Sequence, residues 1–176
     1  MPLADTLLRL ASSPRLYNAR WTDQIMAEVN RNLQEKFGVS EEKVRYRESE
    51  IRRHFPEAWV DGYEELIPEM SNQEKDRHVL AAAVRARAEI IVTYNKKDFQ
   101  RESLAGYSVA VQGPSTFLKN LYELDSAAVV NALNRQASAI GQTLPQLLAR
   151  LRYNVPKFVT MLEGALSSSE DRDSIE

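Results

Sequence analysis

The chain has 176 residues, of which 43% are hydrophobic and 27% charged, and its formal net charge is −2. This length fits one domain with a small extension, and the composition is ordinary for a globular protein. The absence of cysteine excludes disulfides, thiolate metal sites and a thiol nucleophile. No apolar run approaches the ~20 residues that cross a bilayer and no secretory signal is visible, so we expect a cytoplasmic protein without membrane contact.

The first part of the chain has the pattern of three helices. The first runs from Leu3 to Ala11 and stops at Ser12-Ser13-Pro14. Thr22 is a good N-cap for the second, which Gly38 ends. Ser40 caps the third, which reaches about Phe55. A short strand is predicted at Ala58-Trp59-Val60.

The second part alternates helix and strand. A core helix begins near Asn72 or Lys75 and is followed by the apolar, β-branched strand Ile90 to Tyr94, which suits a parallel strand covered on both faces. Tyr107 to Gln112 is a second strand. Four further helices are predicted: Thr116 to Tyr122, Ala127 to Ile140, Leu144 to Arg152 and Pro156 to Leu166. This alternation implies an α/β sandwich with a short sheet.

Acidic and amide side chains follow the helix–strand unit at one end. Asp76 lies at the head of the core helix, and Asn95 and Asp98 lie in the polar turn after the strand. Because the start of such a helix and the end of such a strand lie at the same end of a sheet, these side chains could converge. Clustered carboxylates of this kind hold Mg²⁺ or Mn²⁺ for phosphodiester chemistry.

Two stretches resemble a known family. The run KDRHVLAAAVRARAEIIVTYNKKDF, Lys75 to Phe99, resembles the metal-site half of a PIN domain, and Trp21 to Leu33 resembles the helix that carries the family's acidic residue. The similarity extends from about Leu3 to Phe117 and points to the VapC-type ribonuclease branch. It implies a PIN-like three-layer α/β sandwich with a short, mainly parallel sheet and extra C-terminal helices. The corresponding division is a PIN-like domain at 1–122, a helical extension at 123–166 and a disordered tail at 167–176.

The resemblance also implies a function and a set of site residues. Glu28, Asp76 and Asp98 are the expected catalytic carboxylates, and together with Asn95 they are the expected ligands of Mg²⁺ or Mn²⁺. The activity would be metal-dependent cleavage of RNA by the toxin of a toxin–antitoxin pair. The expected partners are an RNA substrate, a cognate antitoxin and a second copy of the chain.

One departure from the family leaves two hypotheses open. PIN domains open with an apolar strand that ends in a metal-binding Asp, whereas Met1-Pro2-Leu3-Ala4-Asp5 already belongs to the first helix. The chain is therefore predicted to be either a ribonuclease weakened or inactivated by the absence of that strand and its Asp, or a catalytically dead PIN-like module that binds RNA or antitoxin. The first prediction is that the chain as given cleaves RNA poorly.

Each candidate residue also has a structural interpretation. Glu28 fits an exposed helix position, Asp76 a helix-dipole partner, and Asp98 an N-cap of the turn after the strand. The basic residues beside the candidate site, Lys96, Lys97 and Arg101, fit RNA phosphate contact as well as a solvated surface. A second basic group favours a solvated helix face interleaved with glutamates: Lys43, Arg45, Arg47, Arg52, Arg53 and His54. His54 and His78 are in no metal-ligand spacing and are expected to be surface or satisfied histidines.

Overall fold

The computed structural model of the chain describes the backbone of residues 2–173 and the side chains of residues 2–168. The helices are α1 (Pro2–Ser12), α2 (Asp23–Phe37), α3 (Glu41–His54), α4 (Arg77–Arg85), α5 (Arg101–Leu104), α6 (Pro114–Leu124), α7 (Ser126–Ala139), α8 (Leu144–Arg152) and α9 (Pro156–Asp173). The strands are β1 (Ile90–Val92) and β2 (Ala110–Gln112). Short 3-10 helices cover Pro56–Ala58, Glu64–Glu69, Glu74–Asp76 and Lys96–Asp98. The predicted α/β class is confirmed, and the three-layer PIN arrangement stays a prediction.

One compact unit consists of the described residues of Met1–Tyr17 and Gly113–Glu176 and contains α1 and α6 to α9. Its helices pack around apolar side chains that have no solvent-exposed surface: Leu10, Leu118, Leu133, Leu147, Leu151, Phe158 and Leu162. Two buried polar side chains lie among them. Thr6 Oγ1 donates to Gln136 Oε1 at 2.7 Å, and Gln136 Nε2 donates to the Pro2 carbonyl at 2.9 Å. This unit therefore combines a dry core with hydrogen-bonded polar groups.

The other compact unit, Asn18–Gln112, contains α2 to α5 and the sheet. β1 and β2 are parallel, in register from Ile90 opposite Ala110 to Val92 opposite Gln112. The apolar face of α4 joins Ile91 of β1 in a buried cluster that also includes Tyr63, Met70 and Phe99. This packing makes α4 and β1 parts of one core.

Helix ends in this unit follow the residues predicted for them. The side chain of Thr22, the N-cap of α2, accepts a hydrogen bond from the Ile25 N–H at 3.1 Å. Gly38 ends α2 in the left-handed conformation with φ 62°, and its N–H bonds to the Gln34 carbonyl, which is the role that glycine fills best. Ser40 precedes α3 without a side-chain cap bond. The predicted boundaries at Thr22 and Gly38 are confirmed.

The strands are shorter than predicted. At Ala58-Trp59-Val60 the described structure has the end of a 3-10 helix and an isolated parallel bridge between Trp59 and Trp21, so the predicted strand is wrong. β2 begins at Ala110 because the Tyr107 N–H bonds to the Leu104 carbonyl at 3.0 Å and closes the turn after α5. β1 ends at Val92, because Asn95 N donates at 3.0 Å to the Thr93 side chain and starts the next turn.

The C-terminal helix is longer than predicted. α9 continues to Asp173, into the segment that the sequence assigns to a disordered tail, and Ser174 to Glu176 lie outside the described residues. The division at 1–122, 123–166 and 167–176 stays a prediction. Among the described helices, none has the length and apolar character needed to cross a membrane.

Candidate functional site

The start of α4 and the turn after β1 are joined by the backbone. The 3-10 helix Glu74–Asp76 leads directly into α4, and the 3-10 helix Lys96–Asp98 follows β1. Between them the Gln73 N–H donates to the Asp98 carbonyl at 3.2 Å. Because the packing of α4 on β1 places these ends side by side, the side chains of Asp76 and Asp98 come together as the sequence led us to expect.

Lys75 lies between these two carboxylates. Its Nζ is 2.6 Å from Asp98 Oδ2, a hydrogen bond, and 3.0 Å from Asp76 Oδ2. Asp76 Oδ2 is buried and its contact with the ammonium lacks hydrogen-bond geometry, so that pair is an ion contact only. The Asp98 side chain is 6% exposed, whereas that of Lys75 is 64% exposed. A largely solvated ammonium therefore holds a buried carboxylate.

The charges shift the proton affinities of this group in opposite directions. The hydrogen bond from Lys75 holds the pKa of Asp98 below its usual range against the opposing effect of burial, with smaller contributions from the charges of Lys75 and Lys97. The same contacts raise the pKa of Lys75, with Asp98 as the main cause and Asp76 next. Both directions follow from an opposite charge that favours the ionised form of its partner.

Neither carboxylate caps a helix. Asp76 is at the N-cap position of α4, but its side chain makes no cap hydrogen bond. Asp98 ends its 3-10 helix, whose N-cap is Asn95. The capping role proposed for Asp98 from the sequence is therefore not the one its position gives, and Asp76 turns to Lys75 instead of to the first turn of its helix.

Glu28 lies apart from this pair and beside a histidine. Its Oε1 on α2 is 3.5 Å from His78 Nε2 on α4, and the Glu28 side chain is 38% exposed. His78 is 3% exposed and its Nε2 has no hydrogen-bond partner. In the part of the chain with described side chains, no three or more acidic or histidine groups are arranged to share one metal ion. The structure thus joins Asp76 to Asp98 without adding Glu28 as a third ligand.

The remaining candidates lie on the turn after β1 and the helix that follows. Asn95 donates its N–H to Thr93 Oγ1, and its carbonyl accepts the Asp98 N–H at 3.0 Å. The bond from the Asn95 N–H to Thr93 Oγ1 gives Thr93 a structural role in the turn. Lys96, Lys97 and Arg101 are exposed, and the Lys97 charge reaches Asp98. The turn therefore surrounds the buried carboxylate with exposed positive charge.

Three of the basic residues on α3 are paired with acids. Arg45 contacts Glu41, Arg53 contacts Glu50, and Arg52 bridges Glu48 at 2.8 Å and Asp23 at 2.6 Å. The Arg52 guanidinium also stacks 3.6 Å from the Trp59 ring centre. These contacts agree with the solvated-face interpretation of this group.

Sequence reasoning missed three residues near the candidate site. Lys75 stands beside Asp76 in the sequence, but its hydrogen bond to Asp98 spans 23 positions and no local pattern shows it. His78 is buried where a surface or satisfied histidine was expected. Asn72 is 4% exposed, and neither its side-chain oxygen nor its nitrogen has a hydrogen-bond partner. The polar Ser71-Asn72 pair before an apolar helix was the available signal for it.

The donor set suits a divalent cation in part. Two carboxylates already converge on one cation, and the Lys75 ammonium stands where a Mg²⁺ or Mn²⁺ ion would balance them. Carboxylate oxygens are the ligands such ions prefer, and Mg²⁺ in particular is often held by one or two carboxylates with water completing its shell. Asp76 and Asp98 are therefore the residues that would hold it.

The chain has a relative among curated sequences. It is 39% identical over 113 residues to the Mycobacterium tuberculosis protein named "Putative ribonuclease VapC50", a match that covers 56% of this chain and 67% of that protein. No family model matches the chain. No solved structure matches it.

Proposed function

Since the chain belongs to the VapC-type family of PIN ribonucleases, we propose that it is a Mg²⁺-dependent endoribonuclease acting as the toxin of a toxin–antitoxin pair. The observation that carries the proposal is the convergence of Asp76 and Asp98 on one cation, Lys75 Nζ, at 3.0 and 2.6 Å. Two elements far apart in the sequence are held together there with their charges facing each other. Such an arrangement costs electrostatic repulsion unless a cation balances it.

The proposed roles follow from position and charge. Asp76 and Asp98 hold the metal, and Glu28 and Asn95 are the further candidate ligands, although Glu28 lies beside His78. When bound, Mg²⁺ supplies charge neutralisation at the attacked phosphate and an activated water. The exposed cations Lys96, Lys97 and Arg101 contact the RNA phosphates, which is the sequence-independent part of nucleic-acid binding.

A second candidate function has an observation in its favour. Within the described side chains no three acidic or histidine groups form a metal cluster, and the Asp76–Asp98 pair is already balanced by an internal ammonium. A PIN-like module that binds RNA or an antitoxin without cleaving RNA would have these properties. It would retain the exposed basic turn and lose only the chemistry.

Substitution of the two aspartates tests the proposal. Asp76→Asn or Asp98→Asn is expected to weaken Mn²⁺ binding, measured by titration calorimetry, by at least roughly tenfold, since even outer-shell partners of metal sites contribute that much. Any RNA cleavage by the purified chain is expected to require Mg²⁺, to stop with EDTA and to disappear in both variants. Asp61→Asn is the matched control, because Asp61 is an exposed carboxylate of the same unit.

The possible results separate the two candidates. Mn²⁺ binding and RNA binding without cleavage would favour the non-catalytic module. Cleavage that persists in EDTA, or in Asp76→Asn, would contradict the metal-dependent enzyme. Calorimetry that gives the same Mn²⁺ affinity for Asp76→Asn and the unsubstituted chain would reduce Asp76 to a local structural role.

The partners and location belong to the same proposal. An RNA substrate, a small antitoxin and a cytoplasmic location follow from the family role. A homodimer is supported by β1, which has a strand neighbour only on the β2 side within the described residues, and unpaired strand edges recruit other chains. Sedimentation velocity at micromolar concentration is expected to show a dimer, and a monomer would contradict it.

A further inference from the structure

We propose that Lys75 is a tethered competitor of the divalent metal, an internal counter-ion that holds Asp76 and Asp98 together until the metal displaces it. The proposal deepens the proposed function and rests on it, because it concerns the same carboxylate pair. It assigns to Lys75 a regulatory role, setting how tightly the site binds metal.

The geometry gives the ammonium the position of a bound cation. Nζ lies 2.6 Å from Asp98 Oδ2 and 3.0 Å from Asp76 Oδ2. A metal ion shared by these two oxygens would need the same space, so the ammonium and the metal exclude each other. Binding of the metal must therefore include the loss of both Lys75 contacts.

The exposures show which of the three groups can leave. The Asp98 side chain is 6% exposed and that of Asp76 20%, whereas that of Lys75 is 64% exposed. Lys75 has a flexible four-carbon stem and a strongly hydrated head, so it can turn into solvent without disturbing the core. The carboxylates stay where the backbone bond from Gln73 to Asp98 holds their segments.

The ammonium neutralises and hydrogen-bonds the two carboxylates only in part. It brings one positive charge to two carboxylates, and its contact with the buried Asp76 Oδ2 lacks hydrogen-bond geometry. A divalent ion brings two charges and binds carboxylate oxygens directly, with water completing its octahedral shell. The exchange of Lys75 for a divalent ion is thus favourable in charge but opposed by the contacts that must be broken.

Removal of the ammonium tests the idea. Lys75→Met keeps most of the length of the side chain and removes its charge, so the Mn²⁺ dissociation constant is expected to fall roughly threefold to tenfold, the range that loss of such ion contacts allows. Lys43→Met is the matched control, because Lys43 is an exposed lysine of the same unit on α3; its Mn²⁺ affinity is expected to equal that of the unsubstituted chain. An affinity that is unchanged or lower in Lys75→Met overturns the proposal, as does the absence of Mn²⁺ binding to either protein.

A measurement on the unsubstituted protein removes any dependence on how the variant folds. An amine-acylating reagent, read by mass spectrometry, is expected to label Lys75 more when Mn²⁺ is added, because the displaced ammonium leaves its ion pairs. Labelling of Lys43 is expected to stay constant. Equal labelling of Lys75 with and without a saturating amount of Mn²⁺ would mean that the metal does not displace it, and would overturn the proposal.

RNA cleavage measured alongside separates this inference from the proposed function. Tighter Mn²⁺ binding by Lys75→Met without cleavage by any protein would support the competitor role and contradict the enzyme. Metal-dependent cleavage with no effect of Lys75→Met on Mn²⁺ affinity would support the enzyme and overturn the competitor role.

Discussion

The two compact units of the chain treat their buried polar side chains in different ways. In the described residues of Met1–Tyr17 and Gly113–Glu176, Thr6 and Gln136 are buried and hydrogen-bonded to each other and to the Pro2 carbonyl. In Asn18–Gln112, several buried side-chain atoms have no hydrogen-bond partner: Trp21 Nε1, Asn30 Oδ1, Trp59 Nε1, both amide atoms of Asn72, Asp76 Oδ2 and His78 Nε2. All the unsatisfied atoms found within the described side chains belong to the unit with the candidate site.

This difference indicates a division between scaffold and site. A buried polar group without a partner costs roughly 1–3 kcal/mol, so folded proteins retain few of them, and those that persist call for a ligand or a functional reason. The largest fully buried side chains show the complementary pattern, since all of them except Leu80 lie in the helical unit. The largest fully buried side chains are thus concentrated in one unit, and the buried polar atoms without a partner in the other.

The largest expected effect is a cavity in the helical unit. Leu133 on α7 has no exposed surface, so Leu133→Ala is expected to lower the free energy of unfolding by roughly 2–5 kcal/mol. Urea unfolding followed by far-ultraviolet circular dichroism measures it. Leu124→Ala on α6, whose side chain is 69% exposed, is the control and is expected to change stability by less than about 0.5 kcal/mol. Equal effects of the two changes would contradict close packing of the core around Leu133.

A smaller loss is expected when the polar pair of the helical unit is broken. Thr6→Val removes the donor to Gln136 Oε1 and leaves that buried oxygen without a partner, at a cost of roughly 1–3 kcal/mol. The double change with Gln136→Leu is expected to cost less than the sum of the single changes, because both partners are then apolar. Additive costs would show that the hydrogen bond does not couple the two side chains.

The equivalent change in the other unit is expected to act in the opposite direction. Asn72→Leu replaces a buried amide that has no partner with an apolar group of similar size, so the unfolding free energy is expected to rise by about 1 kcal/mol. Both tryptophans of the chain, Trp21 and Trp59, lie in this unit, and their fluorescence reports its unfolding. A loss of stability would show that the Asn72 amide is satisfied in solution and would weaken the contrast between the units.

The sequence could predict features that depend on neighbouring residues, but not contacts between residues that are distant in the chain. Thr22 and Gly38 were predicted correctly as helix ends, because a cap depends on bonds to residues three or four positions away. The start of the strand at Ile90 was also predicted correctly, since its apolar run needs no partner to be visible. Its end at Tyr94 and its burial on both faces were not, because the strand ends at Val92 and that side chain is 36% exposed. The contact of Lys75 with Asp98 and the pairing of Trp21 with Trp59 join distant segments. The first contact depends on how the segments before α4 and after β1 meet, the second on how the segments before α2 and after α3 meet, and no local pattern encodes either.

The same limit applies to the residues of the candidate site. The sequence predicted that Asp76, Asn95 and Asp98 converge at one end of a helix–strand unit, because the direction of such a unit fixes which ends meet. The structure brings Asp76 and Asp98 together at Lys75. The sequence could not show that Lys75 occupies the space between the two carboxylates, or that Glu28 lies beside His78. A lysine beside an aspartate is common in solvated helix starts, and only the fold gives it a second acidic partner.

The smallest expected effect is on the acid side of the stability curve. Asp98 has a folded-state pKa below its unfolded value of about 3.9, mainly because of the hydrogen bond from Lys75. Between those two values the unfolded chain binds more protons than the folded one. The stabilisation is therefore complete above about pH 3.9 and is lost as the pH falls towards the folded pKa.

Lys75→Met removes the main cause of the shift, so tryptophan fluorescence should show a shallower acid-side loss of stability in this variant than in Lys43→Met. Added salt should narrow the difference, because the Lys75 head is solvated and its ion pairs are screened. An identical acid dependence in the two variants would mean that Lys75 does not stabilise Asp98 in solution.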